Sequence, residues 1–122
     1  MMTGAATIFT VRDIGASVAY YRDLLGFGVT FQYGEPTYYA CLCRDEVAVH
    51  LRAAGKNAGW LPGNGAIAVF VTDVDALHGE LAARGARVLK PPQDYAYGMR
   101  DFGVADPDGN QITFGMESRP AA

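Results

Sequence analysis

The sequence predicts an α+β fold built from two βαβββ modules, and three observations predict it. The segments TVRDIGASVAYYRDLLGFGVT and FVTDVDALHGELAARGARVL follow one grammar sixty positions apart. Val11 and Asp13 match Val71 and Asp73, and Gly26 and Val29 closely match Gly85 and Val88. Recurrence at a fixed period marks a repeated supersecondary unit. Short β-rich runs bounded by turn residues follow each copy. Finally, 122 residues, half of them hydrophobic, make one domain's worth of chain, which buries roughly two thirds of its unfolded surface in a single core. Neither half has the core to stand alone. The halves are therefore expected to pack as one pseudo-symmetric domain over 1–122, with modules at about 5–53 and 65–117 joined by loop 54–64.

Each element has a local reason. Every copy reads strand, capped helix, glycine stop, strand. Asp13 and Asp73 are suited to N-cap their helices, and Gly26 and Gly85 to take the left-handed residue that ends them. Ile14, Val18, Tyr21 and Leu25 share one helical face, as do Val74, Leu77 and Leu81, so each helix should cover half of the sheet structure. The strands expected after the first helix are GVTFQY at 28–33, TYYACLC at 37–43 and VAVHLR at 47–52. AIAVFV at 66–71 opens the second module, and ARVL at 86–89, MRDFGVA at 99–105 and NQITFGM at 110–116 complete it. The boundary loop AAGKNAGWLPGNG is rich in glycine and asparagine, yet it carries Trp60.

DPDGN, at 106–110, alternates oxygen-bearing side chains as a calcium loop does. It lacks the later bidentate glutamate of that pattern, because Ile112, Thr113 and Phe114 follow at once. A turn is expected instead, with Gly109 at positive φ between two strands of a hairpin.

Composition narrows the partners. The net charge of −3 comes with no basic stripe to neutralise phosphates, so nucleic acid is not expected. No stretch approaches the ~20 apolar residues needed to span a bilayer, and the start MMTGAATIF lacks a secretory pattern, so a cytoplasmic protein without a membrane partner is expected. Cys41 and Cys43 lie two apart on a strand, where no ordinary disulfide joins them and two thiols alone do not close a zinc site. They are expected to be small wall residues in a reducing compartment.

A paired βαβββ repeat that opens on V-x-D and closes on YGMRDF and DPDGNQITF resembles the glyoxalase/bleomycin-resistance/extradiol-dioxygenase group, the vicinal oxygen chelate superfamily. The resemblance covers nearly the whole chain. It implies a mixed sheet curled around a cleft, helices on the outside, a homodimer, and in the enzymes a divalent metal held by His and Glu from four strands. The four matching positions here are Ala6, Ala66, Thr113 and His50. Alanine offers no lone pair, and a catalytic zinc, nickel or iron site takes three protein ligands around an open position. No metal, cofactor or catalytic residue is therefore expected. The chain looks most like the bleomycin-resistance branch, which sequesters a drug in its cleft, and a hydrophobic or cationic small molecule is the expected partner. The balance leans away from an enzyme. The alternative is a glyoxalase-like lyase, isomerase or dioxygenase with a non-standard site around His50, and a third reading is a regulatory protein whose cleft is vestigial.

Alternation along VAVHLR sends Val49 and Leu51 toward the helix and Ala48, His50 and Arg52 toward the cleft. The same parity turns Ala6, Ile8, Thr10, Ala66, Ala68, Phe70, Gln111 and Thr113 to the cavity. A two-residue Asp45-Glu46 turn puts Tyr39 beside Arg52, whereas a three-residue turn would offer Tyr38; the expected choice is Tyr39. Trp60 and the segment holding Tyr95 and Tyr97 are implied to overhang the cleft. Their flat faces suit a planar or cationic ligand. Met99 and Arg100 follow them into the last hairpin and are expected, with Trp60, Phe70, Tyr97 and Thr113, among the ligand-binding residues. Arg100 either neutralises an acidic ligand or pairs across the sheet, and His78 is expected to be exposed.

Overall fold

Two aspartates sixty residues apart open the two helices. In the computed structural model, which describes residues 1–118, Asp13 accepts from Ala16 N at 3.0 Å and Asp73 accepts from Ala76 N at 3.0 Å. Each satisfies one of the N–H groups that a helix start leaves unpaired. The helices they cap are α1 (Ile14–Asp23) and α2 (Val74–Arg84). Gly85 ends α2 in the left-handed conformation, at φ 91°. In α1 the matching glycine falls later: Leu24 is the terminal residue and Gly26 takes φ 75° two residues on. Leu25 N and Phe27 N reach back to Tyr20 O and Tyr21 O across this wider last turn.

Around the helices run β1 (Ala6–Val11), β2 (Gly28–Tyr33), β3 (Tyr39–Arg44), β4 (Val47–Ala53), β5 (Ala66–Phe70), β6 (Arg87–Asp94), β7 (Met99–Ala105) and β8 (Gln111–Glu117). Each module makes its own four-stranded sheet, ordered β1-β4-β3-β2 and β5-β8-β7-β6. The strand before the helix pairs in parallel with the last strand of its module, and the other pairs are antiparallel. The α+β class and the paired modules are as the sequence predicts. The curl is divided between two sheets and does not close into a barrel. β6 runs five residues beyond the ARVL segment, through Pro91 and Pro92. It is an edge strand with two register shifts, so the missing N–H groups break no central ladder.

The apolar faces of both modules meet in one cluster of buried residues, including Phe9, Tyr21, Leu25 and Leu51 of the first module and Leu81, Phe102, Val104 and Phe114 of the second. Each such side chain contributes about 1.5–3 kcal/mol on leaving water. The repeat-equivalent residues Tyr20 and Glu80 bridge the modules. Tyr20 Oη donates to Ala105 O at 2.6 Å and accepts from Arg87 N at 2.9 Å. Glu80 accepts both terminal nitrogens of Arg44 at 2.8 Å.

DPDGN is the predicted turn. Asp106 Oδ1 accepts from the backbone N–H groups of Asp108, Gly109 and Asn110, and Gly109 has φ 103°. The turn docks on the other module: Asn110 Nδ2 donates to Thr10 O at 3.0 Å, and Gly65 N donates to Asn110 Oδ1 at 2.8 Å. Gly63 (φ 86°) passes so near this turn that a Cβ would collide with the Asp108 carbonyl.

Candidate small-molecule cleft

Register builds the first wall of the site. β3 and β4 join through Asp45 and Glu46, with Asp45 at φ 51°, so Tyr39 pairs with Arg52 and Cys41 with His50. Directly paired residues share a face, and this face is the one α1 does not cover. One row across it is Ile8, His50, Cys41 and Phe31, and the next is Thr10, Arg52, Tyr39 and Tyr33. Ile8 remains 49 % exposed, and Phe31 and Tyr33 are exposed beside it.

Within this wall the structure brings together Tyr39, His50, Arg52 and Trp60. The Tyr39 hydroxyl lies 2.9 Å from His50 Nδ1. Burial pushes the Tyr39 hydroxyl above its ordinary pKa, with the nearby Cys41 acting in the same direction. It stays a neutral donor, and Nδ1 accepts when the ring proton is on Nε2. Arg52 Nε donates to Thr10 Oγ1 at 2.8 Å, and its Cζ sits 3.9 Å from the Trp60 ring centroid. A cavity of about 260 Å³ opens between Arg52 and the loop residues Leu61 and Asn64.

The open face of the second sheet carries Thr113 in a row with Ala68, Gly103 and Lys90, and Asp101 in a row with Phe70, Gly115 and Gln93. Met99 reaches Gly115 on this face. Tyr97 is 68 % exposed and stacks on Tyr95 at 5.2 Å. Phe70, 79 % exposed, borders a larger groove of about 680 Å³ between the modules. Of the residues expected to face the cleft, Ile8, Thr10 and Arg52 border the smaller cavity and Phe70 the larger.

Arg100 lies elsewhere. It forms a forked pair with Asp75 of α2 at 3.0 and 2.7 Å and approaches Asp94 at 3.4 Å, so it is on the helix side, away from the cleft. The reason is parity: Arg100 shares its face with Phe102 and Val104, both fully buried. His78 is also not free in solvent, since it packs edge-on against Phe102 at 5.3 Å.

The family model described as "Glyoxalase/Bleomycin resistance protein/Dioxygenase superfamily" matches residues 5–114. The chain belongs to this superfamily. A bleomycin resistance protein of Geobacillus stearothermophilus is 30 % identical over 85 % of this chain and 89 % of its own length. The bleomycin-binding protein of the bleomycin producer Streptomyces verticillus, solved with copper(II)-bleomycin, is 27 % identical with a TM-score of 0.77, covering 98 % of each chain. A superfamily member from Sphaerobacter thermophilus is 25 % identical with a TM-score of 0.80, covering 96 % of this chain and 98 % of its own.

The residues present do not fit the divalent metal of the superfamily's enzymes. Ala6 lies diagonally from His50, and Ala66 diagonally from Thr113. The one imidazole has its Nδ1 engaged by Tyr39. Among the described residues no three His, Cys, Asp or Glu side chains cluster as ligands, and no helix is long and apolar enough to cross a membrane.

Sequence reasoning missed two partnerships. Parity turns Thr10 toward the cleft but does not disclose that it anchors Arg52. Lys90 lies 4.9 Å from the Tyr95 ring centroid and 3.0 Å from Asp101 Oδ1. Lys90 sits between the two register shifts of β6, which strand alternation alone does not reveal.

Proposed function

We propose that the chain is a metal-independent small-molecule-binding protein of the bleomycin-resistance type, which sequesters a hydrophobic ligand in a cleft formed between two copies. The observation that carries this is the apolar surface left on the open sheet faces. Ile8, Phe31, Tyr33, Phe70 and Tyr97 are all exposed there, with Phe31 stacked on Tyr33, and large apolar side chains left exposed on a concave face suit a binding surface. The two bleomycin-related proteins above support the ligand class. A hydrophobic ligand is favoured over a cationic one because Trp60 and Tyr95, two of the three aromatic residues expected to seat a cation, are engaged by the chain's own Arg52 and Lys90.

Bleomycin and a panel of apolar drugs added to purified protein test the proposal by thermal unfolding. A ligand at 100 times its dissociation constant adds about 2.7 kcal/mol of stability, which reads as a rise of several degrees. Absence of any shift across the panel, or a tightly held divalent metal at one per chain after chelator-free purification, overturns it.

One observation favours the enzyme alternative: the Tyr39–His50 hydrogen bond orients the imidazole and leaves Nε2 for proton transfer. It requires turnover that His50→Ala abolishes while binding survives.

A further inference from the structure

The guanidinium of Arg52 is held on two sides. Nε is engaged by Thr10 Oγ1, and Cζ lies over the Trp60 ring. Neither terminal nitrogen has a protein acceptor among the described residues. The arginine borders the cavity of about 260 Å³, whose other walls are Ile8, Thr10, Leu61, Asn64 and glycine backbone, with no carboxylate among them. Arg44 and Arg100, by contrast, both direct their terminal nitrogens to carboxylates. A fixed fork with two unengaged donor nitrogens matches the two oxygens of a planar or tetrahedral anion.

We propose that Arg52 anchors an oxyanion subsite: the cavity takes a carboxylate, sulfonate or phosphate group carried on an apolar body that lies over Ile8 and Leu61. This rests on the proposal that the open face binds a small molecule, and it specifies the charge of one end of that molecule. The net charge of −3 points the other way only for the surface as a whole. Locally, a direct contact with the guanidinium outweighs distant surface charges, which salt screens within about 10 Å.

The test compares two probes of nearly identical aromatic body, 1-anilinonaphthalene-8-sulfonate and neutral N-phenyl-1-naphthylamine, titrated against the emission of Trp60, the chain's single tryptophan. The sulfonate is expected to bind at least about tenfold more tightly, and added salt should erode that preference. Arg52→Met should weaken sulfonate binding by about tenfold and leave the neutral probe within roughly threefold, while Arg52→Lys should fall between, because an ammonium keeps the charge and loses the fork. Equal affinities in the unmodified protein, or a preference that survives in Arg52→Met, overturn the oxyanion subsite. The comparison within the unmodified protein decides the matter even where a variant folds poorly. If the neutral probe binds without any sulfonate advantage, only this inference falls; if neither probe alters Trp60, the small-molecule proposal falls with it.

Discussion

Asp106 has an acceptor role that its neighbours fully determine. Besides its three backbone donors, it takes the hydroxyl of Tyr21 and the amide of Asn110, each at 2.9 Å, on Oδ2. Burial first, and the charge of Asp106 next, push the Tyr21 phenol far above its ordinary pKa, so it remains a donor throughout. Asp106→Ala strands these donors in the interior and should cost about 3 kcal/mol, seen as a lower urea midpoint. A loss under about 1 kcal/mol would show that the turn holds without the carboxylate. Glu80 gives a pH prediction. Its hydrogen bonds from Arg44, ahead of burial, hold its pKa below the ordinary value. A carboxylate depressed in the folded state contributes stability above its unfolded pKa and loses it as pH falls through the folded value. Stability should therefore decline below about pH 4.5, and Arg44→Met should flatten that decline. Both partners are about a third exposed, so the effect is small. Urea midpoints at about pH 6 and about pH 3.5 check it. Arg100 shows how far one residue type can be read: its charge suggested a ligand contact, but the apolar residues two and four places on fix it to the core side.

Helices and turns were legible because their signals are local. An N-cap needs only the residue itself and an amide three places on, so Asp13 and Asp73 declared both helix starts. The Asp45-Glu46 turn fixed the register that gathers Tyr39, His50 and Arg52. β6 was not legible in length, since edge position excuses its prolines and edge position is not local. Two glycines of α2 make an opposed pair of predictions. A methyl group at Gly79 or Gly85 would meet no neighbouring element within 4 Å, so only the backbone decides. Gly79→Ala, in a helical interior, should stabilise by about 0.5–1 kcal/mol. Gly85→Ala, at φ 91°, should destabilise by about 1 kcal/mol. Thermal unfolding of the two variants checks the signs, and a shared sign would contradict the backbone explanation.

The two halves of the molecule are alike in elements and unlike at their junctions. The turn at 106–110 is anchored on the end of β1, whereas its counterpart at 44–47 stands off from the end of β5 and borders the groove of about 680 Å³. If the exposed faces close on a second copy, as proposed, sedimentation at micromolar concentration should give twice the 13.0 kDa of the chain. Phe31→Glu on the edge strand β2, away from Arg52, should return it to a monomer, because a charge would be buried without a partner. A monomer in the unmodified protein would leave the cleft open on one side and remove the dimer. By itself the sequence determined the repeat, the helix N-caps, the turns and the absence of lone pairs at Ala6 and Ala66, because each rests on side-chain chemistry or on spacing along the chain. Only the tertiary structure decided that Thr10 and Trp60 hold Arg52, that Lys90 covers Tyr95, and that Arg100 faces α2. Such contacts join residues distant in sequence, and their existence depends on how strands pair and sheets meet.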